Sequence, residues 1–257
     1  SQYADSRILY NFYLDNKEYH KVLIPLVKDE LSNYSIRALL CCFLAALGWI
    51  VFLVHLGNGW KWPRKEKLMV LGAFLLGVLS AYFCLWVVVV EDNILKFDGD
   101  NNTKGTIFNL AYCVFGISVR EEICKMLLFL PLLPLLTKIK ENYKILIFCS
   151  LIGLGFAAAE NINYVMRWGS SAVMSRFLTA NFIHMFLTGY ICYYLTLAVK
   201  HKGKAWDDFT TALIKMILVH GLYDFFLIDP VMVEKGFSFF AMMLSLIHIS
   251  EPTRRTP

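Results

Sequence analysis

Residues Val119–Phe129 read V-R-E-E-I-C-K-M-L-L-F, which sets Arg120, Glu121, Glu122 and Lys125 inside an otherwise apolar run from Ile107 to Leu136. One ionised side chain at a bilayer centre costs about 2.5–3.5 kcal/mol on insertion scales. Four of them between residues 120 and 125 are not there for packing. On a helix, Glu121 and Lys125 stand four residues apart and Glu122 and Lys125 three apart, so Lys125 can reach either carboxylate. Arg120 is read as a further counter-ion for the two glutamates. An ionisable cluster inside a membrane segment is by default a functional site. A purely structural ion-pair network is the plain alternative.

Around this stretch the composition points one way. The 257 residues are 58% hydrophobic with a mean hydropathy of +0.54, outside the range of soluble domains. The expected fold is all-α: a polytopic transmembrane helix bundle of about seven spans, the last one truncated. Apolar runs long enough to cross a core of about 30 Å lie at 38–56, 68–90, 107–136, 145–166, 177–199 and 210–228, and a seventh starts near Phe237. The third is too long for one straight crossing, and Pro131 and Pro134 predict a kink or an end near its C-terminal side. Residues 1–36 are too polar to span and form a separate N-terminal segment, with Val22–Val27 as its most helix-like part. Residues 37–243 form the transmembrane domain. The tail 244–257, opening L-S-L-I-H-I-S-E-P-T-R, looks like translated adapter sequence. With no Met at position 1, the chain is expected to be a fragment, and His248 is set aside.

The net charge of +5 does not indicate nucleic acid, because the basic residues sit in short loops between apolar runs. Loops 57–67, 137–144 and 200–209 hold ten Lys and Arg against five in loops 91–106, 167–176 and 229–236. The positive-inside rule makes the first set cytoplasmic, although five more basic residues in the first 37 pull the other way. All seven cysteines fall in apolar segments without a C-x-x-C pair and read as small hydrophobes.

The other spans carry few polar groups. Glu160 sits in G-L-G-F-A-A-A-E-N-I-N-Y, among small residues that let a neighbouring helix come close, with Tyr164 one turn on. His184 lies in N-F-I-H-M-F-L-T-G-Y, with Asn181 and Thr188 a turn either side. H-G-L-Y-D places His220 and Asp224 at i and i+4, one face of a helix. A carboxylate beside an imidazole fixes its tautomer and raises its basicity. Measured from the expected external ends of their spans, Glu121, Glu122, Glu160, His184 and His220 fall in one layer about 10 Å deep at about 1.5 Å per residue. Lys215 reads as a snorkelling residue and Asp229, before Pro230, as a helix-end residue.

These residues also resemble a known family. E-E-I-C-K (Glu121–Lys125) matches E-E-x-x-K, F-A-A-A-E (Phe156–Glu160) matches F-x-x-x-E, and H-G-L-Y-D (His220–Asp224) matches H-x-x-x-D. In this order and on successive spans they resemble the PrsW family of intramembrane proteases, over about residues 68–229. The resemblance implies an integral protein of the bacterial cytoplasmic membrane that cleaves membrane-anchored, single-pass proteins such as anti-sigma factors. It also implies kinship with the CAAX prenyl proteases and bacteriocin self-immunity proteins. Those typically show E-E-x-x-x-R, F-x-x-x-H and H-x-x-x-N, and this chain departs at Lys125, Glu160 and Asp224.

Peptide hydrolysis needs a water, a base to activate it and a group to stabilise the oxyanion. The polar layer offers carboxylates and imidazoles but no H-E-x-x-H. In one version Glu121 or Glu122 is the base on a water, Lys125 holds the other carboxylate, and His184 or His220, the latter oriented by Asp224, polarises the scissile carbonyl. In the other, Glu160, His184 and His220 hold Zn2+ and Glu122 is the base. A proton-coupled transporter would use the same residue types, and a non-catalytic scaffold is the remaining alternative. The absence of inverted repeats counts against the transporter.

Overall fold

The structure, a computed structural model, describes residues 2–95, 105–169, 171–201 and 205–236. The expected seventh span from Phe237, the tail 244–257 and His248 lie outside the described residues. Two polar helices come first, α1 (Gln2–Asp15) and α2 (Tyr19–Asn33), packed against each other. Ser35 then caps α3 (Ile36–Leu56) by accepting a hydrogen bond from the Ala38 amide. After a short 3-10 turn comes α4 (Arg64–Leu95).

The charged run is not one helix. It divides into α5 (Thr106–Ala111), a π-helical stretch Tyr112–Ser118, α6 (Val119–Phe129), a 3-10 turn Leu130–Leu132 and α7 (Leu133–Leu136). The break near Pro131 and Pro134 was expected; the π-helical stretch in front of the charged helix was not. Its last residue is tied sideways, with Ser118 Oγ donating to the Ile217 carbonyl at 2.6 Å. Widened helical turns of this kind concentrate at functional sites. The chain continues as α8 (Asn142–Trp168), α9 (Ser171–Leu178), α10 (Ala180–Lys200), α11 (Trp206–Ile228) and the short α12 (Pro230–Glu234). Among the described residues there is no strand.

Five segments are long and apolar enough to cross a membrane: Ile36–Leu56, Arg64–Ile94, Asn142–Trp168, Ala172–Lys200 and Trp206–Ile228. Their burial differs in a way that ranks them. The apolar part of α8 is 78% buried and that of α3 only 11%, so α8 is the hub and α3 a peripheral helix. Phe43, Leu44, Phe52 and Leu71 project outward from α3 and α4; apolar surface on that scale suits lipid, not water. The protein is an all-α integral membrane bundle.

Glycines set how close the hub's neighbours come. A Cβ at Gly153 of α8 would collide with the His184 backbone carbonyl of α10, and one at Gly155 with the Phe74 carbonyl of α4. Gly77 of α4 meets the Ile152 carbonyl in the same way. Small residues at a helix crossing permit this backbone approach. The polar segment 1–36 joins the bundle too, since Trp86 Nε1 of α4 donates to the Tyr19 carbonyl at 2.8 Å.

Gly153→Val should therefore destabilise by more than the roughly 1–3 kcal/mol of ordinary overpacking, because backbone and not a mobile side chain stands in the way. Gly72→Ala, with nothing within 4 Å of the added carbon, should be neutral or gain up to about 1 kcal/mol from helix propensity. Thermal unfolding of the detergent-solubilised protein compares the two; equal melting temperatures would contradict the close crossing.

Candidate active site

The site is organised around one ammonium. Lys125 Nζ lies 2.8 Å from Glu122 Oε1, 3.2 Å from Glu121 Oε2 and 2.9 Å from His184 Nδ1. Those three acceptors use the three N–H donors of a lysine. The Phe156 ring lies below, its centroid 4.0 Å from Nζ, which adds a cation–π contact. Lys125 was expected to hold one glutamate and holds both. Helical spacing brings the two carboxylates to it from α6; only the packing of α10 brings the imidazole.

The two glutamates are not equivalent. Glu122 has no exposed side chain. Beyond Lys125, it accepts from Thr188 Oγ1 at 3.0 Å and lies 2.9 Å from His220 Nδ1. Glu121 keeps 13% of its side chain exposed and lines an open cavity of about 150 Å3, whose wall also includes Glu160, Arg120 and Phe156. Of the three glutamates, Glu121 and Glu160 line the cavity and Glu122 does not.

Because Nδ1 of His184 accepts from Lys125, its Nε2 carries the proton and donates to Glu160 Oε2 at 3.1 Å. Glu160 also takes Arg176 Nη2 at 2.6 Å. The Arg176 guanidinium lies 3.6 Å from the centre of the Tyr164 ring and its Nε donates to Asn161 Oδ1, while Asn161 Nδ2 donates to Asn181 Oδ1 at 2.7 Å. His220 Nε2 stands 3.5 Å from Asp224 Oδ2 and 3.7 Å from Glu121 Oε2. Asp224, expected to orient His220, is thus farther from it than Glu122 is. His220 Nδ1 is buried and makes no hydrogen bond despite its proximity to Glu122. The two imidazole rings meet edge to face with centroids 5.2 Å apart.

All seven residues singled out from the sequence, Glu121, Glu122, Lys125, Glu160, His184, His220 and Asp224, form one connected cluster. Their grouping differs in one respect. Glu160, His184 and His220 were the expected metal ligands. Among the described residues, the group able to bring one ligand atom each to within 4.8 Å of one another is Glu121, His184 and His220. Glu160 is held by Arg176, whose guanidinium meets the same Oε2 that faces His184. Two imidazoles and a carboxylate are the donor set of a catalytic zinc site, and Nε2 is the His220 nitrogen that faces Glu121. Both nitrogens of His184 are engaged, Nδ1 by Lys125 and Nε2 by Glu160, so these residues fit a divalent metal ion once it takes the place of the Lys125 ammonium between Glu121 and His184.

Two other assignments change. Arg120 does not neutralise the glutamates; its Nη1 pairs with Glu91 of α4 at 3.0 Å. Arg176, counted from the sequence only as a loop charge, belongs to the site. An isolated Glu160 demands a cation, and both Arg167 and Arg176 follow it, but spacing does not choose between them. Asp229 does cap α12, accepting from the Val231 and Met232 amides, and also takes Asn109 Nδ2 at 2.7 Å. Tyr34, from the polar N-terminal segment, reaches the cavity wall. Burial, with Tyr82 and Glu30 adding, raises the pKa of its phenol and keeps it neutral.

Residues 65–249 match the family model described as PrsW family intramembrane metalloprotease. Curated relatives carry the name Protease PrsW. That of Oceanobacillus iheyensis is 26% identical over 177 residues, covering 69% of this chain and 75% of the relative. That of Bacillus subtilis is 27% identical over 168 residues, 65% of this chain and 73% of the relative. That of Clostridioides difficile is 23% identical over 173 residues, 65% and 70% respectively. No solved structure matches at a significant level.

Lys125→Met leaves two carboxylates and an imidazole facing each other without their common donor. Breaking a buried ion pair by removing one partner costs about 3–5 kcal/mol. Thr188→Val removes one hydrogen bond to Glu122 and should cost about 1–3 kcal/mol. Denaturant or thermal unfolding of both variants measures the order; a Lys125→Met protein as stable as the parent would show that the ammonium does not hold this cluster together.

Proposed function

The chain belongs to the PrsW family of intramembrane metalloproteases, and from that premise we propose that it is a peptidase cutting membrane-anchored, single-pass proteins, anti-sigma-factor-like in kind, at the polar layer where Glu121, Glu160, His184 and His220 meet. The observation that carries this proposal is the convergence of Glu121, His184 and His220, from three elements distant in sequence, beside an open cavity.

Burial divides the work. Glu122, enclosed and contacted by Lys125, Thr188 and His220, positions those groups and does not meet water. Glu121 and Glu160 line the cavity and are the carboxylates that meet the substrate. Glu121, His184 and His220 would hold a divalent metal, with Zn2+ the expectation from the donor set. That ion would polarise the scissile carbonyl and acidify a bound water. Glu160 takes the proton from the attacking water and returns it to the leaving amine, as general acid–base catalysis requires. Arg176 and the His184 Nε2–H both donate to Glu160 and hold it in place. Glu122, 2.9 Å from Nδ1 of His220, fixes that ring and leaves Nε2 towards Glu121, as carboxylate partners fix ligating imidazoles.

One observation favours a metal-free version of the same hydrolysis. Lys125 already sets a cation between Glu121 and His184, so Glu121 can remain a free base for the water. Chelation separates the two versions. The transporter alternative shares the residue types, and Glu121→Gln separates it: a transporter would lose a pH-driven flux.

Co-expression with a tagged single-pass substrate is the first test. Glu121→Gln should lower cleavage about 100-fold or more while the protein still accumulates in the membrane. Cleavage equal to the parent would remove the protease assignment. The purified parent should hold about one equivalent of metal, the His220→Ala variant much less, and chelation should stop the parent. Full activity after exhaustive chelation, with no bound metal, would leave only the glutamate-and-water version.

A further inference from the structure

The cavity beside Glu121 and Glu160 has a shape that follows from how α4 and α8 cross. The helices touch where Gly77 and Gly155 bring their backbones together. Four residues further along each chain stand Ala81 and Ala159, and four further still Leu85 and Asn163; all four line the cavity. One turn of helix separates each step. The cavity is therefore the wedge that opens as the two helices separate, with the alanines nearest the closed end.

Its chemistry is two-sided. Ala81, Leu85 and Val88 make an apolar stripe on α4 at i, i+4 and i+7. Glu121 and Glu160 stand on the other wall. At about 150 Å3 it matches a cavity known to take a benzene molecule, so it suits one side chain of leucine to phenylalanine size. Arg120 also lines it, and the Nε of that guanidinium is buried without a hydrogen-bond partner.

We propose that this wedge is the specificity pocket for one large apolar side chain next to the scissile bond, with Ala81 and Leu85 setting its depth. The proposal rests on the protease assignment above and adds which bonds are cut: those flanked by a Leu- or Phe-sized residue in a membrane-anchored protein. Tyr34, also on the cavity wall, lies outside residues 65–249. The selectivity of this chain therefore depends in part on its own N-terminal segment.

The experiment uses the full chain in membranes and a tagged single-pass substrate whose scissile bond has been mapped by mass spectrometry of both products. Each residue flanking that bond is replaced in turn by Ala, Leu, Phe and Trp. At one flanking position the parent should cut the Leu and Phe versions about 10-fold or more faster than Ala, the discrimination a hydrophobic pocket delivers. Ala81→Leu should reverse this order, losing about 10-fold or more on Phe while keeping the Ala version within about threefold of the parent. Leu85→Ala should admit Trp. Membrane abundance and melting temperature check both variants, and if Ala81→Leu does not fold, Leu85→Ala decides. Unchanged preferences in the folded variants, with Glu121→Gln inactive, would overturn the pocket and leave the protease standing. Parent-level cleavage by Glu121→Gln would instead remove the protease assignment beneath it.

Discussion

A buried ammonium with three donors needs three acceptors, and the centre of this protein is the arrangement that supplies them to Lys125. Two come cheaply, because Glu121 and Glu122 share its helix. The third, His184 Nδ1, belongs to α10 and arrives only because Gly153 lets the α10 backbone come up against α8. Once Lys125 fixes one nitrogen of His184, the other must donate, and Glu160 stands there to accept. Glu160 in turn recruits Arg176. An unpaired charge in a low-dielectric interior is expensive, so each group in the chain of contacts dictates the next. The result links α6, α8, α9 and α10 through side chains that a soluble protein would have left in water.

Within that network the three glutamates differ in exposure. Glu122 is enclosed on every side, whereas Glu121 and Glu160 face the opening between α4 and α8. The separation follows from helix geometry. Successive residues on α6 point about 100° apart, so adjacent glutamates cannot both face the same cavity. The tight crossing of α4 and α8 at Gly77 and Gly155 closes that cavity at one end and leaves it open at the other. Close packing and the cavity are thus two consequences of one helix crossing. The π-helical stretch before α6 packs on α11 and is tied to it through Ser118, so it sets the approach of α6 to the helix that carries His220.

What the sequence by itself determined was chemistry and rough placement. Hydropathy revealed the spans because a lipid core rewards about 20 apolar residues in a row whatever their neighbours are. The ionisable residues stood out because that background makes each of them costly, and the motif order around Glu121, Glu160 and His220 identified the family. Helical spacing alone put either carboxylate within reach of Lys125. Tertiary structure decided everything that crosses between helices. The sequence assigned Arg120 to the glutamates, but α4 supplied Glu91; it treated Arg176 as a loop charge, but α9 folds it onto Glu160. It named Glu160 as the carboxylate beside the two histidines, and the packing brought Glu121 instead. The physical reason is the same each time: periodicity fixes which residues share a face of one helix, while the partner across the gap depends on rotation and approach. Those are set here by glycines and a π-helical turn whose effect no single span reveals.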